Sequence, residues 1–159
     1  MTTAAGAKGD VDHELERLNA LLDLSHVRLK LGDPEEGHGY GETKLDLMEG
    51  EYRRFLALHL AYPAEQIVPC KLVDEMWHQH ILDTAAYRAD CEAIFGFFLD
   101  HFPYFGMRGD DDAQALHDAY AETLDRYVSA FGEPPADTWR TIDASSKCKR
   151  TACKPQKCR

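Results

Sequence analysis

Residues 70–107 read CKLVDEMWHQHILDTAAYRADCEAIFGFFLDHFPYFGM, and the reading of this stretch decides the fold. It holds a Trp, three His, two Cys, six acidic residues and most of the phenylalanines. Set at about 100° per residue, its positions sort onto helix faces. Val73, Trp77, His80, Thr84, Tyr87, Cys91, Ile94 and Phe98 fall in one stripe; Asp74, His78, Ile81 and Ala85 fall in another. The spacing predicts a helix from Cys70 through at least Leu82. Asp83 and Thr84 suit the cap of a further helix from about Ala85, which puts a bend between the two. Gly96 interrupts the pattern, and Pro103 with Gly106 ends it.

On the N-terminal side, Leu45, Met48, Tyr52, Phe55, Leu56, His59 and Leu60 give the buried face of a helix from about Thr43 to Ala61. Pro63 stops it. His59 reads as a core histidine with its hydrogen bonds satisfied. Further back, Gly32–Gly41 is a turn-rich loop without the Gly-Lys-Ser/Thr of a phosphate loop. Leu24–Leu31 reads equally as helix or as an extended run. Asp10 suits the cap of a first helix carrying Leu15, Leu18, Leu21 and Leu22. On the C-terminal side, Ala113–Phe131 forms the last long helix, with Leu116, Tyr120, Leu124, Tyr127 and Val128 apolar, and Trp139 folds back on the body. The expected architecture is all-α: a compact bundle of four to five helices over residues 11–142, after a disordered N-terminus at 1–10. A disordered, basic, Cys-containing tail follows at 143–159.

At 159 residues the length suits one domain, and 44% hydrophobic content is enough for a core. No run of about 18 apolar residues exists, so no membrane span is expected. The first ten residues lack the apolar region of a secretory signal, which makes a reducing cytoplasm the default location. The net charge of −10 conceals an asymmetry. The last thirteen residues carry six Lys or Arg and no acid, leaving roughly −16 on the rest. So acidic a body argues against nucleic-acid binding by the domain. The cations of the tail suit folding back on the body or contact with an anionic surface.

Five cysteines is an odd number. Cys70 and Cys91 lie in the patterned region and read as small buried hydrophobes or as ligands. Cys148, Cys153 and Cys158 have four residues between neighbours, wider than most structural zinc pairs. Lys or Arg beside each of them favours the thiolate, which suits soft-metal capture, oxidation or modification.

The run V-D-x-x-W-H-x-H-I-L-D-T-x-x-Y-x-x-D-C from Val73 to Cys91, with Phe95-Gly96 and His101-x-Pro103, resembles the glycine-rich-domain-containing protein-like family. Tyr52-Arg53-Arg54-Phe55-Leu56 and Phe131-Gly132 extend the resemblance over roughly residues 20–140. It implies a fold family without a settled activity. A Gly/Cys-rich C-terminal segment is common there, and this tail keeps the cysteines without the glycines.

The candidate chemistry lies in the same stretch. His78, His80, Cys91 and His101 are the expected metal ligands, with Asp74, Trp77, Asp83, Thr84 and Tyr87 orienting or packing around them. Imidazole with thiolate suits zinc or copper, and imidazole with carboxylate also suits iron. Geometry restricts this set. His78 and His80 diverge by about 200° on a regular helix and meet at one ion only if the helix unwinds. His80 and Cys91 stand about 16 Å apart on a straight helix, so they meet only across a bend. Asp74 and His78, four apart, share a face. The first functional reading is therefore a metal- or small-ligand-binding helical domain. The second is a non-catalytic helical module for an unidentified protein partner, in which buried His, Asp and Cys form a structural polar network. A metal-dependent enzyme is third. A nucleophilic Cys91 fits poorly, since its stripe between Tyr87 and Ile94 is apolar and Asp90 precedes it.

Overall fold

A computed structural model describes residues 4–140, with side chains from Asp10 onward. The expectations for Cys148, Cys153, Cys158 and the tail fall outside the described residues. Six helices follow in order: α1 Ala4–Leu21, α2 Ser25–Gly32, α3 Glu42–Ala61, α4 Lys71–Leu82, α5 Thr84–Phe95 and α6 Asp110–Phe131. No strand occurs among the described residues. The fold is all-α, as the periodicity predicts. The ambiguous Leu24–Leu31 run becomes α2. The first helix begins at Ala4, so Asp10 lies inside it and caps nothing. None of the described helices is long and apolar enough to cross a membrane.

The central element is α3, which packs on α1, α2, α4 and α6. Leu45, Met48, Tyr52, Phe55 and Leu56 are buried as their spacing predicts, and Ala57 and Leu58 join them. Two more of its residues act through polar groups. The Arg53 guanidinium donates to the carbonyls of Leu18 and Leu22, each at 2.9 Å, and Glu49 holds it at 2.6 Å. These carbonyls lie at the C-terminal end of α1, where the helix carries negative dipole charge; that of Leu18 also accepts from the Leu22 amide at 2.9 Å. Glu51 is buried, and its Oε2 accepts from the Tyr127 hydroxyl and from Trp139 Nε1, both at 2.8 Å. Arg54 donates to Oε1 at 3.2 Å. One carboxylate thus ties α3 to α6 and to the segment beyond it. A buried carboxylate is tolerable only when hydrogen-bonded in this way.

Arg28 on α2 reaches Glu42, Asp46 and Glu49 on α3 at 2.6–2.8 Å. In the loop between these helices, Gly37 is needed because a Cβ there would lie 1.8 Å from the Lys30 carbonyl oxygen. A single residue, Asp83, joins α4 to α5. Its carboxylate accepts from the Ala86 amide at 3.3 Å, the expected cap. The bend lets α4 and α5 pack on each other. Of the predicted stripe, Val73, Trp77, His80, Tyr87, Cys91 and Ile94 are buried. Thr84 and Phe98 are exposed, because the bend rotates the stripe and α5 ends before Phe98.

Glu51→Ala strands the Tyr127 hydroxyl and the Trp139 indole N–H in the core. A stability loss of about 2–4 kcal/mol is expected by chemical denaturation. Glu51→Gln, which keeps an acceptor, should lose less.

Candidate metal centre

Asp74 lies in the first turn of α4, where the helix dipole favours a carboxylate. One turn on, His78 faces the same side, with Nδ1 3.6 Å from Asp74 Oδ2. The other carboxylate oxygen meets His101, whose Nε2 lies 2.9 Å from Oδ1. His101 arrives on the loop after α5, and a relay holds that loop in place. Trp77 Nε1 donates to the Tyr87 hydroxyl at 2.9 Å, and this hydroxyl donates to the Leu99 carbonyl at 2.6 Å. The His101 ring lies 4.3 Å from the Trp77 ring and 4.6 Å from that of His78, centroid to centroid. One ligand atom from each of Asp74, His78 and His101 can be chosen so that all lie within 4.8 Å of one another. All three residues are half-buried. Desolvation lowers the His78 pKa, and the Asp74 carboxylate opposes the shift. Burial therefore favours the neutral imidazole, the form that ligates metals.

The other expected ligands lie elsewhere. His78 and His80 sit on one continuous helix, so they point apart. His80 is buried between Tyr52, 2.8 Å from its Nδ1, and Asp90, 2.8 Å from its Nε2. A carboxylate only accepts, which puts the proton on Nε2 and makes Nδ1 the acceptor of the Tyr52 hydroxyl. Both ring nitrogens are then engaged. Desolvation lowers the His80 pKa, and the bond to Asp90 raises it. Burial pushes the Tyr52 phenol well above its ordinary value. Cys91 is buried beside Tyr87. The set of His78, His80, Cys91 and His101 is thus divided: His78 and His101 meet Asp74, while His80 and Cys91 belong to the core around Tyr87. Asp83 serves as a helix cap, and Thr84 is exposed beside it.

Asp90 was expected only as the acid preceding Cys91. Its pairing with His80 crosses the bend, and straight-helix spacing conceals it. Glu75 accepts from the Tyr40 hydroxyl at 2.6 Å and lies 3.2 Å from His38 Nε2, which docks the loop before α3 on α4. Burial, then the bond to Glu75, pushes the Tyr40 phenol up to about 12. His59 departs from the expectation of a satisfied core histidine. Its Nε2 is buried without a hydrogen-bond partner among the described residues, and its ring stands edge-on to Phe55 at 4.7 Å. Burial lowers its pKa from 6.5 to about 4.

One family model, described as UCP032817-like, matches residues 35–125, a span that includes α3, α4, α5 and the whole Asp74–His78–His101 cluster. The chain belongs to the UCP032817-like family. This corrects the resemblance to the glycine-rich-domain-containing family: the matching model, whose span includes the Trp-His-x-His run, is that of a different, uncharacterised family. No curated protein and no solved structure matches the chain.

Two measurements check this account. His80→Ala strands the Tyr52 hydroxyl and Asp90 together, so chemical denaturation should show a loss of about 2–4 kcal/mol. For pH, the unfolded chain protonates His59 near 6.5 while the folded chain resists until about 4. Stability should therefore fall as pH drops across that window, by about 3 kcal/mol from His59 at most. His59→Leu should give a shallower slope in denaturation midpoints measured between those limits.

Proposed function

We propose that this domain binds a divalent transition-metal ion through Asp74, His78 and His101. The observation that carries the reading is the convergence of two imidazoles and one carboxylate from α4 and the loop after α5, with ligand atoms within 4.8 Å of one another. Two His and a carboxylate on one side of an ion leave its remaining positions open to water or a small ligand, the arrangement of catalytic zinc and non-haem iron sites. Cys91 lies outside this group, so no thiolate favours copper, and zinc or iron fits the donors best. Bound at the half-buried cluster, the ion would replace the Asp74–His101 hydrogen bond with coordination by both groups. Metal-assisted hydrolysis or oxidation is the reaction class that such open positions permit.

The test is elemental analysis of untagged protein together with metal titration followed by thermal unfolding. One zinc or iron per chain is expected, with stabilisation of about 3 kcal/mol when free metal exceeds Kd a hundredfold. Asp74→Asn and His101→Ala should each weaken binding by about 100-fold or more. His80→Gln and Cys91→Ser should leave the stoichiometry at one. Absence of metal, with no stabilisation by added zinc or iron, would reduce the cluster to a hydrogen-bonded His–Asp pair.

A further inference from the structure

The loop carrying His101 has a second property. Within residues 97–107, Phe97, Phe98, Phe102, Tyr104 and Met107 are each between 47% and 58% exposed. Floppy loops expose apolar side chains at random, but this one is held at several points. The Tyr87 hydroxyl grips the Leu99 carbonyl, and Asp74 grips His101. The Asp112 carboxylate accepts from the amides of Gly106 and Arg108 at 2.7 and 3.1 Å. Gly106 has φ +87°, and a Cβ there would lie 2.4 Å from Leu116 Cδ2, so backbone and helix are in close contact. Aromatic side chains facing outward on a pinned loop form a preorganised apolar surface, the kind that marks an interaction site.

Charge says what fits it. Residues 83–112, which contain the loop, hold seven acids and two bases. One of those bases, Arg108, is engaged by Asp112 at 2.7 Å and lies over the Phe102 ring at 4.9 Å. Asp100 within the loop, and Glu92, Asp110 and Asp111 flanking it in sequence, are exposed, against one exposed base, Arg88, before it. A second copy would bring like charges together, and an anionic lipid surface would be repelled. We propose that this strip docks a segment of a partner protein that combines large apolar side chains with Lys or Arg. The surface does not depend on whether the Asp74 cluster holds an ion.

Fluorescence anisotropy with the full chain and labelled synthetic peptides tests this, using Leu/Lys and Leu/Glu peptides of equal length and the chain's own 143–159 sequence under reducing conditions. That last peptide is cationic but has no apolar side chain as large as Leu. The Leu/Lys peptide should bind best, and more weakly as salt rises. Phe97→Ser with Tyr104→Ser should weaken it about tenfold, and Glu92→Lys with Asp111→Lys by a similar factor. All four positions are exposed, so both variants should keep the parent melting temperature. The proposal is overturned if the serine variant binds as well as the parent. It is equally overturned if the Leu/Glu or 143–159 peptide binds as tightly as Leu/Lys. Dimerisation of the parent chain that the serine variant abolishes would assign the strip to self-association instead.

Discussion

The Tyr87 hydroxyl connects the two helices of the signature run to the loop that follows them. It takes the indole proton of Trp77 on α4 and gives its own to the Leu99 carbonyl, two residues before His101. Without that bond a buried carbonyl would lack a donor, at about 1–3 kcal/mol. With it, His101 is held beside Trp77 and within reach of Asp74. The aromatic residues on either side of His101 are set outward by the same anchor. One phenol therefore underlies both the ligand cluster and the exposed strip.

A comparable economy governs the centre of the bundle. Glu51, Tyr52, Arg53 and Arg54 are consecutive polar-capable residues near the middle of α3, and between them they bond three other helices. Tyr52 reaches His80 on α4, Arg53 the end of α1, Arg54 and Glu51 the Tyr127 hydroxyl on α6. Helical geometry sends four successive side chains in four directions, about 100° apart. That spread suits a helix surrounded on most sides. Apolar packing supplies the cohesion of such a core, while these directional bonds select one arrangement of the neighbouring helices.

Much of this architecture was legible along the chain. The 3.6-residue spacing located α3 to α6, the Asp83 cap located the bend, and Trp139 was expected to pack back on the body. The Leu24–Leu31 run was not decidable, because eight residues with scattered apolar positions fit either secondary structure. The polar partners were harder still. Glu51 and Arg53 look like ordinary surface charges on a helix, and only the approach of α1 and α6 turns them into anchors, the first buried and the second half-buried. His59 had the spacing of a core residue, but spacing carries no information on whether an imidazole nitrogen finds a partner.

The candidate site divides along the same line. Periodicity was enough to put Asp74 and His78 on one face and His80 on another, since a helix imposes that at short range. It could not decide which distant residue joins either pair. Asp90 meets His80 because α4 and α5 bend at Asp83; His101 meets Asp74 because the Trp77–Tyr87–Leu99 relay folds the loop back onto α4. Ligand-type residues were visible from composition, yet their grouping depends on contacts across 10 and 27 positions of chain. Local rules set the direction in which a side chain leaves its helix. Long-range packing sets what it meets there.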